Sequence, residues 1–269
     1  MAVERIHWED LPAGTRAAVE ERTGAVWSAK TVSEGLNSAV AAVLATEAGP
    51  VFVKGLHRDY PRRWNQDMEA VINPYVAHLS SRLLWRVQGE WDVLGFEMID
   101  GRHADYRPGS ADLPKIVEAM TALGTIQCPD LPVKVAEHRW RTYVDAPADL
   151  EWLKGDRLLH TDYNPLNVLI ADDQALLIDW AWPTRGAGWI DPACLILRLI
   201  GNGHRATSAE QVVESLPAWQ AAPAEGLVVF AQACERMWEE IANGNSAEWI
   251  RNMANAARAW AAHRRVITC

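Results

Sequence analysis

The 269 residues carry 26 Lys+Arg against 35 Asp+Glu, a formal charge of −9, with 49% hydrophobic and 23% charged residues. This composition excludes a globally disordered chain and, with no long basic run, a binder of nucleic-acid backbone. It leaves ample core for one large domain or two small ones, and its acidic balance fits solubility more simply than a cationic substrate.

In chain order, the opening MAVERIHWEDLP is charged and lacks the apolar run of an export signal. The longest apolar runs, 39–45 and 187–197, are too short or too interrupted to span a bilayer, so no membrane partner is expected. Residues 26–33 read as a strand stopping at Glu34-Gly35, and 39–46 as a second, closed by the turn Glu47-Ala48-Gly49-Pro50. Residues 51–54 read as a short third strand ended by Gly55. Residues 65–79 predict a helix that Pro74 should kink or break. Two more strands, 83–87 and 93–99, end at Asp100-Gly101. Beyond residue 110 helix dominates: 110–126 places Leu113, Ile116, Val117, Met120 and Leu123 at helical spacing. Residues 128–151 are irregular, with three prolines, and 212–216, 226–243 and 246–266 read as helices. A strand-rich part followed by a helical part predicts an α+β protein of two lobes, 1–100 and 101–269, with a cleft between them. Cys128, Cys194, Cys234 and Cys269 match neither a zinc nor a disulfide spacing, so free thiols and a cytoplasmic location are expected.

The chemistry concentrates in residues 158–180, LLHTDYNPLNVLIADDQALLIDW. Asp162 follows His160 by two residues and precedes Asn167 by five. Residues 168–170 form a strand, 171–174 a turn, and 175–178 a returning strand that ends in Asp179. A tight hairpin brings its ends together, so Asn167 and Asp179 are expected side by side with Asp162 on the loop before them. An amide oxygen and a carboxylate are hard ligands suited to Mg²⁺, and a separate carboxylate can orient or deprotonate a hydroxyl. Phosphoryl transfer divides labour in this way. The spacing alone is moderate evidence; the strand, turn and strand that follow strengthen it.

HTDYNPLN followed by LLIDW resembles the catalytic segment of the aminoglycoside phosphotransferase family, which shares the protein-kinase-like fold. The resemblance spans residues 26–199 and is densest in this segment. It implies a small antiparallel-sheet N-terminal lobe that binds nucleotide and a larger, mainly helical C-terminal lobe for catalysis and acceptor binding. It assigns the catalytic loop to His160 and Asp162, with Asp162 catalytic and His160 holding the loop, and the metal to Asn167 and Asp179. Trp189-Ile190-Asp191-Pro192 looks like the family's Gly-Asp-Pro stretch, although Leu195 stands where a further Asp often follows. Glu34-Gly35-Leu36-Asn37-Ser38 looks like the nucleotide loop, with Gly35, Asn37 and Ser38 meeting phosphates. Lys54 would pair with the phosphates and Glu69 would hold Lys54. Glu97-Met98-Ile99 would be the hinge, Glu97 and Ile99 presenting backbone to the base, with Leu169 and Ile178 flooring its pocket. The implied cofactors are Mg²⁺ and ATP or GTP. The implied reaction transfers the γ-phosphoryl group to a small hydroxylated acceptor, foremost an aminoglycoside or other antibiotic, in resistance or self-protection. A metabolic alcohol (choline, homoserine or a sugar) and a non-catalytic nucleotide-binding pseudokinase are the alternatives; the intact Asp162, Asn167 and Asp179 weigh against the latter.

Several residues have plainer explanations. Asp67 and Glu69 look like one polar helix face, which could simply be solvated. Asp172-Asp173 reads as turn chemistry. Of Trp180, Trp182 and Trp189, at least two should serve the core. Glu235, Glu239 and Glu240 could receive a cationic acceptor but fit a solvated helix face better. Arg258, His263, Arg264 and Arg265 should complement a helix C-terminus.

Overall fold

The computed structural model describes residues 4–33, 35 and 38–268. Two units emerge, Met1–Gly101 with Leu177–Ala181, and Arg102–Leu176 with Trp182–Cys269. The first begins with α1 (Ala13–Thr23), then β1 (Val26–Thr31), β2 (Val40–Thr46), β3 (Gly49–His57), α2 (Arg63–Val76), β4 (Leu83–Gln88) and β5 (Trp91–Glu97). Its five strands pair antiparallel in the order β1-β2-β3-β5-β4. Helix α1 was not expected: AGTRAAVEERT is polar and buries only Thr15, Val19 and Thr23. Trp8, Leu11 and Val19 nevertheless cover the sheet face made by Val40, Ala42, Leu44, Val51, Val53 and Val93.

Strand β3 runs through Gly55 to His57 instead of stopping there. Gly55 pairs with both Val40 and Val93, whose side chains would stand 3.4 Å from a Cβ; the glycine accommodates branched neighbours in mid-strand. Helix α2 runs through Pro74 and ends two residues later at Val76, so the expected break falls at the end of the helix and not within it. Asn73 then fixes the entry to β4, donating to the Ser81 carbonyl (2.8 Å) and accepting from the Leu83 N–H (2.7 Å).

The second unit contains β6 (Arg102–His103), α3 (Leu113–Leu123), β7 (Lys134–Val135), α4 (Ala136–Arg139), β8 (Arg157–Leu159), β9 (Val168–Ala171), β10 (Gln174–Leu177) and β11 (Thr184–Gly186). Helices α5 (Ile190–Gly201), α6 (Ala206–Val213), α7 (Pro217–Gln220), α8 (Ala224–Gly244) and α9 (Glu248–Thr268) complete it. The strands form two small sheets, β10-β9-β6 and β7-β11-β8; Leu177, the last residue of β10, belongs to the first unit. The expected helix at 212–216 is only the end of α6 and the turn after it, and the stretch 128–151 holds β7 and α4. Asp172 and Asp173 both have positive φ (+46° and +64°), the two-residue turn that matches the twist of a hairpin. Phe230 of α8 sits edge-on to Trp140, Trp189 and Trp260 at the helical core. The chain is thus α+β, as expected. Cys128, Cys194 and Cys234 are free; Cys269 lies outside the described residues. Among the described residues, no helix is long and apolar enough to cross a membrane.

Candidate active site

In the first unit, strand alternation sends Lys54 to the face opposite Val51 and Val53. Glu69 meets it from the buried face of α2, beside Met68 and Ile72. Asp67 pairs instead with Arg86. Residues two apart on a helix are separated by roughly 200°, so the shared polar face expected of Asp67 and Glu69 does not exist. Both Glu69 oxygens accept from Lys54 Nζ (2.9 and 2.8 Å), and Asp179 Oδ1 accepts from the same nitrogen at 2.7 Å. Burial alone would discharge Lys54, but the Asp179 and Glu69 carboxylates outweigh it and raise its pKa. Asp179 arrives on the segment Leu177–Ala181, tied down by the Leu177 N–H to the Leu79 carbonyl (2.7 Å) and the Trp180 indole N–H to the Leu177 carbonyl (2.9 Å). Its φ is +63°, a left-handed conformation that aspartate tolerates better than most residues.

The loop between β1 and β2 is held from one side by Arg5, whose guanidinium donates to the carbonyls of Gly35 (2.7 Å) and Ser38 (2.8 Å). Gly35 has φ +85° and Ser38 is buried; Asn37 lies outside the described residues. Nothing in the sequence signals Arg5. Glu97 has both backbone groups engaged, its N–H on the Arg82 carbonyl (2.8 Å) and its carbonyl on Ser81 Oγ (2.5 Å). Ile178 is half-buried beside Asp179.

In the second unit, His160 is buried and its Nδ1 accepts from the Asp162 N–H at 3.2 Å, the loop-holding role expected of it. Thr161, a β-branched residue, has φ +66°, a strained conformation that surroundings must enforce. Asp191 enforces it: its carboxylate accepts from the backbone N–H groups of His160 and Thr161 (both 2.9 Å) and from the Tyr163 hydroxyl (3.1 Å). Burial pushes the Asp191 pKa up against the pull of these donors. Asp162 is left with a carboxylate one-third exposed, Oδ1 accepting from Arg198 at 2.8 Å. Asn167 is buried at the end of the turn Pro165–Asn167, and its amide nitrogen donates to the Asp162 carbonyl (3.2 Å), which leaves the amide oxygen to offer. Leu169 is half-buried on β9.

The structure thus brings Lys54, Glu69 and Asp179 together in one unit, and His160, Asp162 and Asn167 together in the other. Sequence reasoning missed the duties of Asp191 and Arg198, which come from α5, 31 and 36 residues beyond their partners. Among the described residues no cluster of three or more His, Cys, Asp or Glu could hold a metal by itself. Asn167 in the second unit and Asp179 in the first each offer a hard oxygen donor of the kind Mg²⁺ takes. Trp180 and Trp189 are core residues, as expected of at least two of the three tryptophans, while Trp182 is half-buried. Glu235 and Glu239 are engaged with Arg265 and Arg258 (3.1 and 2.9 Å). Arg264 and His263 pair with Glu210 (2.8 and 3.4 Å), so these two bind a carboxylate, while Arg265 lies in the last turn of α9, where a cation complements the helix C-terminus.

No family model and no curated protein matches the chain by sequence. Solved structures match by shape. A choline kinase from Streptococcus pneumoniae, LicA, superposes with a TM-score of 0.59 at 12% identity, covering 93% of this chain and 100% of its own. A macrolide 2′-phosphotransferase from Brachybacterium faecium, MphH, gives 0.56 at 16% identity, covering 92% and 98%. A thermostable mutant of aminoglycoside phosphotransferase APH(4)-Ia, in ternary complex with ADP and hygromycin B, gives 0.54 at 12% identity, covering 92% and 99%. The chain has the two-part, protein-kinase-like α+β fold of these choline, macrolide and aminoglycoside phosphotransferases.

Proposed function

We propose that the chain is a Mg²⁺-dependent O-phosphotransferase that moves the γ-phosphoryl group of ATP or GTP to a hydroxyl of a small molecule. The carrying observation is the Lys54 ammonium held by Glu69 and Asp179 together. Apolar residues would fill that space at no electrostatic cost. An ammonium beside a metal-binding carboxylate is, however, what nucleotide phosphates and their metal require. Lys54 and the 35–38 loop bind the phosphates, the backbone of Met98 and Ile99 meets the base, and Leu169 and Ile178 give it apolar cover. Asn167 and Asp179 would hold Mg²⁺, which neutralises charge on the phosphates when bound. Asp162 accepts a hydrogen bond from the acceptor hydroxyl and orients its oxygen. As that oxygen bonds to phosphorus and the nucleoside diphosphate leaves, Asp162 receives the proton. Arg198, fixed on Oδ1, keeps the carboxylate from rotating and leaves Oδ2 for the acceptor.

The structural neighbours are named for choline, macrolides and aminoglycosides, so an antibiotic and a metabolic alcohol both fall within this assignment. The three free thiols fit a reducing, cytoplasmic setting. The test is a coupled ADP- or GDP-release assay with Mg²⁺ over a panel of antibiotics and metabolic alcohols. Asp162→Asn should lower acceptor-stimulated release about 10²–10⁴-fold with nucleotide affinity nearly unchanged. Full turnover in that variant would remove Asp162 from its role. A wild-type chain that binds no nucleotide would undo the assignment.

A further inference from the structure

Side chains around the Asp162 loop are arranged for negative charge. Arg198 holds Asp162 and lies over Trp238, 5.6 Å from the ring centroid. Arg139, at the end of α4, donates from Nη1 to Thr161 Oγ1 and Thr184 Oγ1, each at 2.6 Å. Its guanidinium stands 4.7 Å from the Trp140 ring centroid and 5.6 Å from that of Trp182, and Lys134 Nζ lies 4.4 Å from the same Trp182 ring. Among the described residues, no carboxylate lies within ion-pair distance of Arg139, and its Nε and Nη2 reach no protein acceptor. Burial accordingly lowers the Arg139 pKa. The Asp162 and Asp191 carboxylates act on it only from beyond ion-pair distance, and a guanidinium shielded by two indoles with no carboxylate in direct contact is costly unless an anion arrives to share it.

Most of the carboxylates a cation would need are engaged, while Glu240 of α8 is exposed and, among the described residues, meets only the Tyr143 hydroxyl. Glu235, Glu239 and Glu210 pair with arginines of α9, and Asp145 with Arg236. Asp162 itself is paired.

We propose that the acceptor carries an anionic group, a carboxylate or a phosphate, beside the hydroxyl that is phosphorylated, and that Arg139 receives that group. This rests on the phosphotransferase assignment and sets the acceptor apart from polycationic aminoglycosides and from choline. Bracing Thr161 against β11 is the other duty open to Arg139, and a neutral donor would serve it equally well.

The experiment titrates the full chain, saturated with ADP and Mg²⁺, with four small alcohols that differ in charge: glycerol, D-glycerate, glycerol 3-phosphate and choline. Calorimetry reads the affinities. At least one anionic alcohol should bind at least about tenfold more tightly than glycerol and choline, the usual worth of a charge-assisted hydrogen bond. The tighter of the two anions tells carboxylate from phosphate. Arg139→Gln keeps an N–H donor for the two threonines and should erase the preference; Arg139→Lys should keep part of it. Lys134→Gln, which leaves Thr161 untouched, should weaken it severalfold and serves if the Arg139 variants do not fold. Equal binding of all four, binding of none, tighter binding of choline, or a preference that survives loss of the charge would overturn the proposal. ADP binding is measured separately, so failure of the nucleotide site is distinguishable from failure of the anion site.

Discussion

The two units hold their polar residues by different means. In the first, Lys54, Glu69 and Asp179 are fixed side chain to side chain, and two of the three stand on regular elements, β3 and α2. In the second, the Asp162 loop is irregular, and a buried carboxylate, Asp191, holds it by its backbone. Removing a partner in the first unit strands a charge. Removing one in the second releases a loop. The first should register mainly in stability and nucleotide affinity, the second mainly in rate.

The largest effect should come from Lys54→Met, which leaves Glu69 and Asp179 facing each other with little solvent. A loss of about 3–5 kcal/mol is expected from breaking such a buried pair, together with weakened nucleotide binding. Burial already raises the Glu69 pKa in the intact protein. A carboxyl whose folded-state pKa lies above its unfolded value gains stability as pH falls, so the deficit of the variant should shrink in acid. Urea denaturation at two pH values checks both statements; a midpoint equal to wild type would remove the distinction between the units. Asp191→Asn comes next. It replaces an acceptor by an NH₂ group facing the His160 and Thr161 N–H groups, at a cost of about 1–3 kcal/mol. Turnover should fall on the order of 10²-fold through misplacement of Asp162, with ADP affinity unchanged. A matching drop in ADP affinity would mean that the loop and the nucleotide site are not separable.

Gly95→Ala probes the sheet alone. A Cβ there would come within 2.2–2.6 Å of the Trp85 ring across the strand pair, so roughly 1–3 kcal/mol should be lost by overpacking. Unaltered thermal unfolding would show that Trp85 moves aside freely. Thr161→Gly should have the smallest effect on stability, within about 1 kcal/mol, because relief of the left-handed strain offsets the glycine's entropy in the unfolded chain. A loss above about 2 kcal/mol would show that the Arg139 hydrogen bond matters more than the strain.

The same contrast decides what could be read from the sequence. Lys54 and Glu69 were legible only through the family resemblance, and the Asp172-Asp173 turn because its residue types state its conformation. The loop residues His160, Asp162 and Asn167 were legible as a spacing. Their supports were not: Asp191 was visible only within the Trp189–Pro192 stretch, and its three donors lie 28, 30 and 31 residues away in sequence. Helix α1 escaped for a related reason, since one buried valine gives no periodic signal and the helix is stabilised by the sheet it covers. Asp67 and Glu69 show the opposite error. They look alike in sequence and are separated by the turn of the helix.

Five residues, Leu177–Ala181, belong to the first unit although the chain on either side of them belongs to the second. During synthesis, the first hundred residues therefore emerge with Lys54 and Glu69 but without Asp179, and the Leu79 carbonyl, in the turn after α2, waits for the Leu177 N–H. The first unit is finished only after most of the loop that carries Asp162 has been made. A fragment ending at residue 101 would lack part of its own polar core, and the two units are bound to mature together, the later one supplying the piece that completes the earlier.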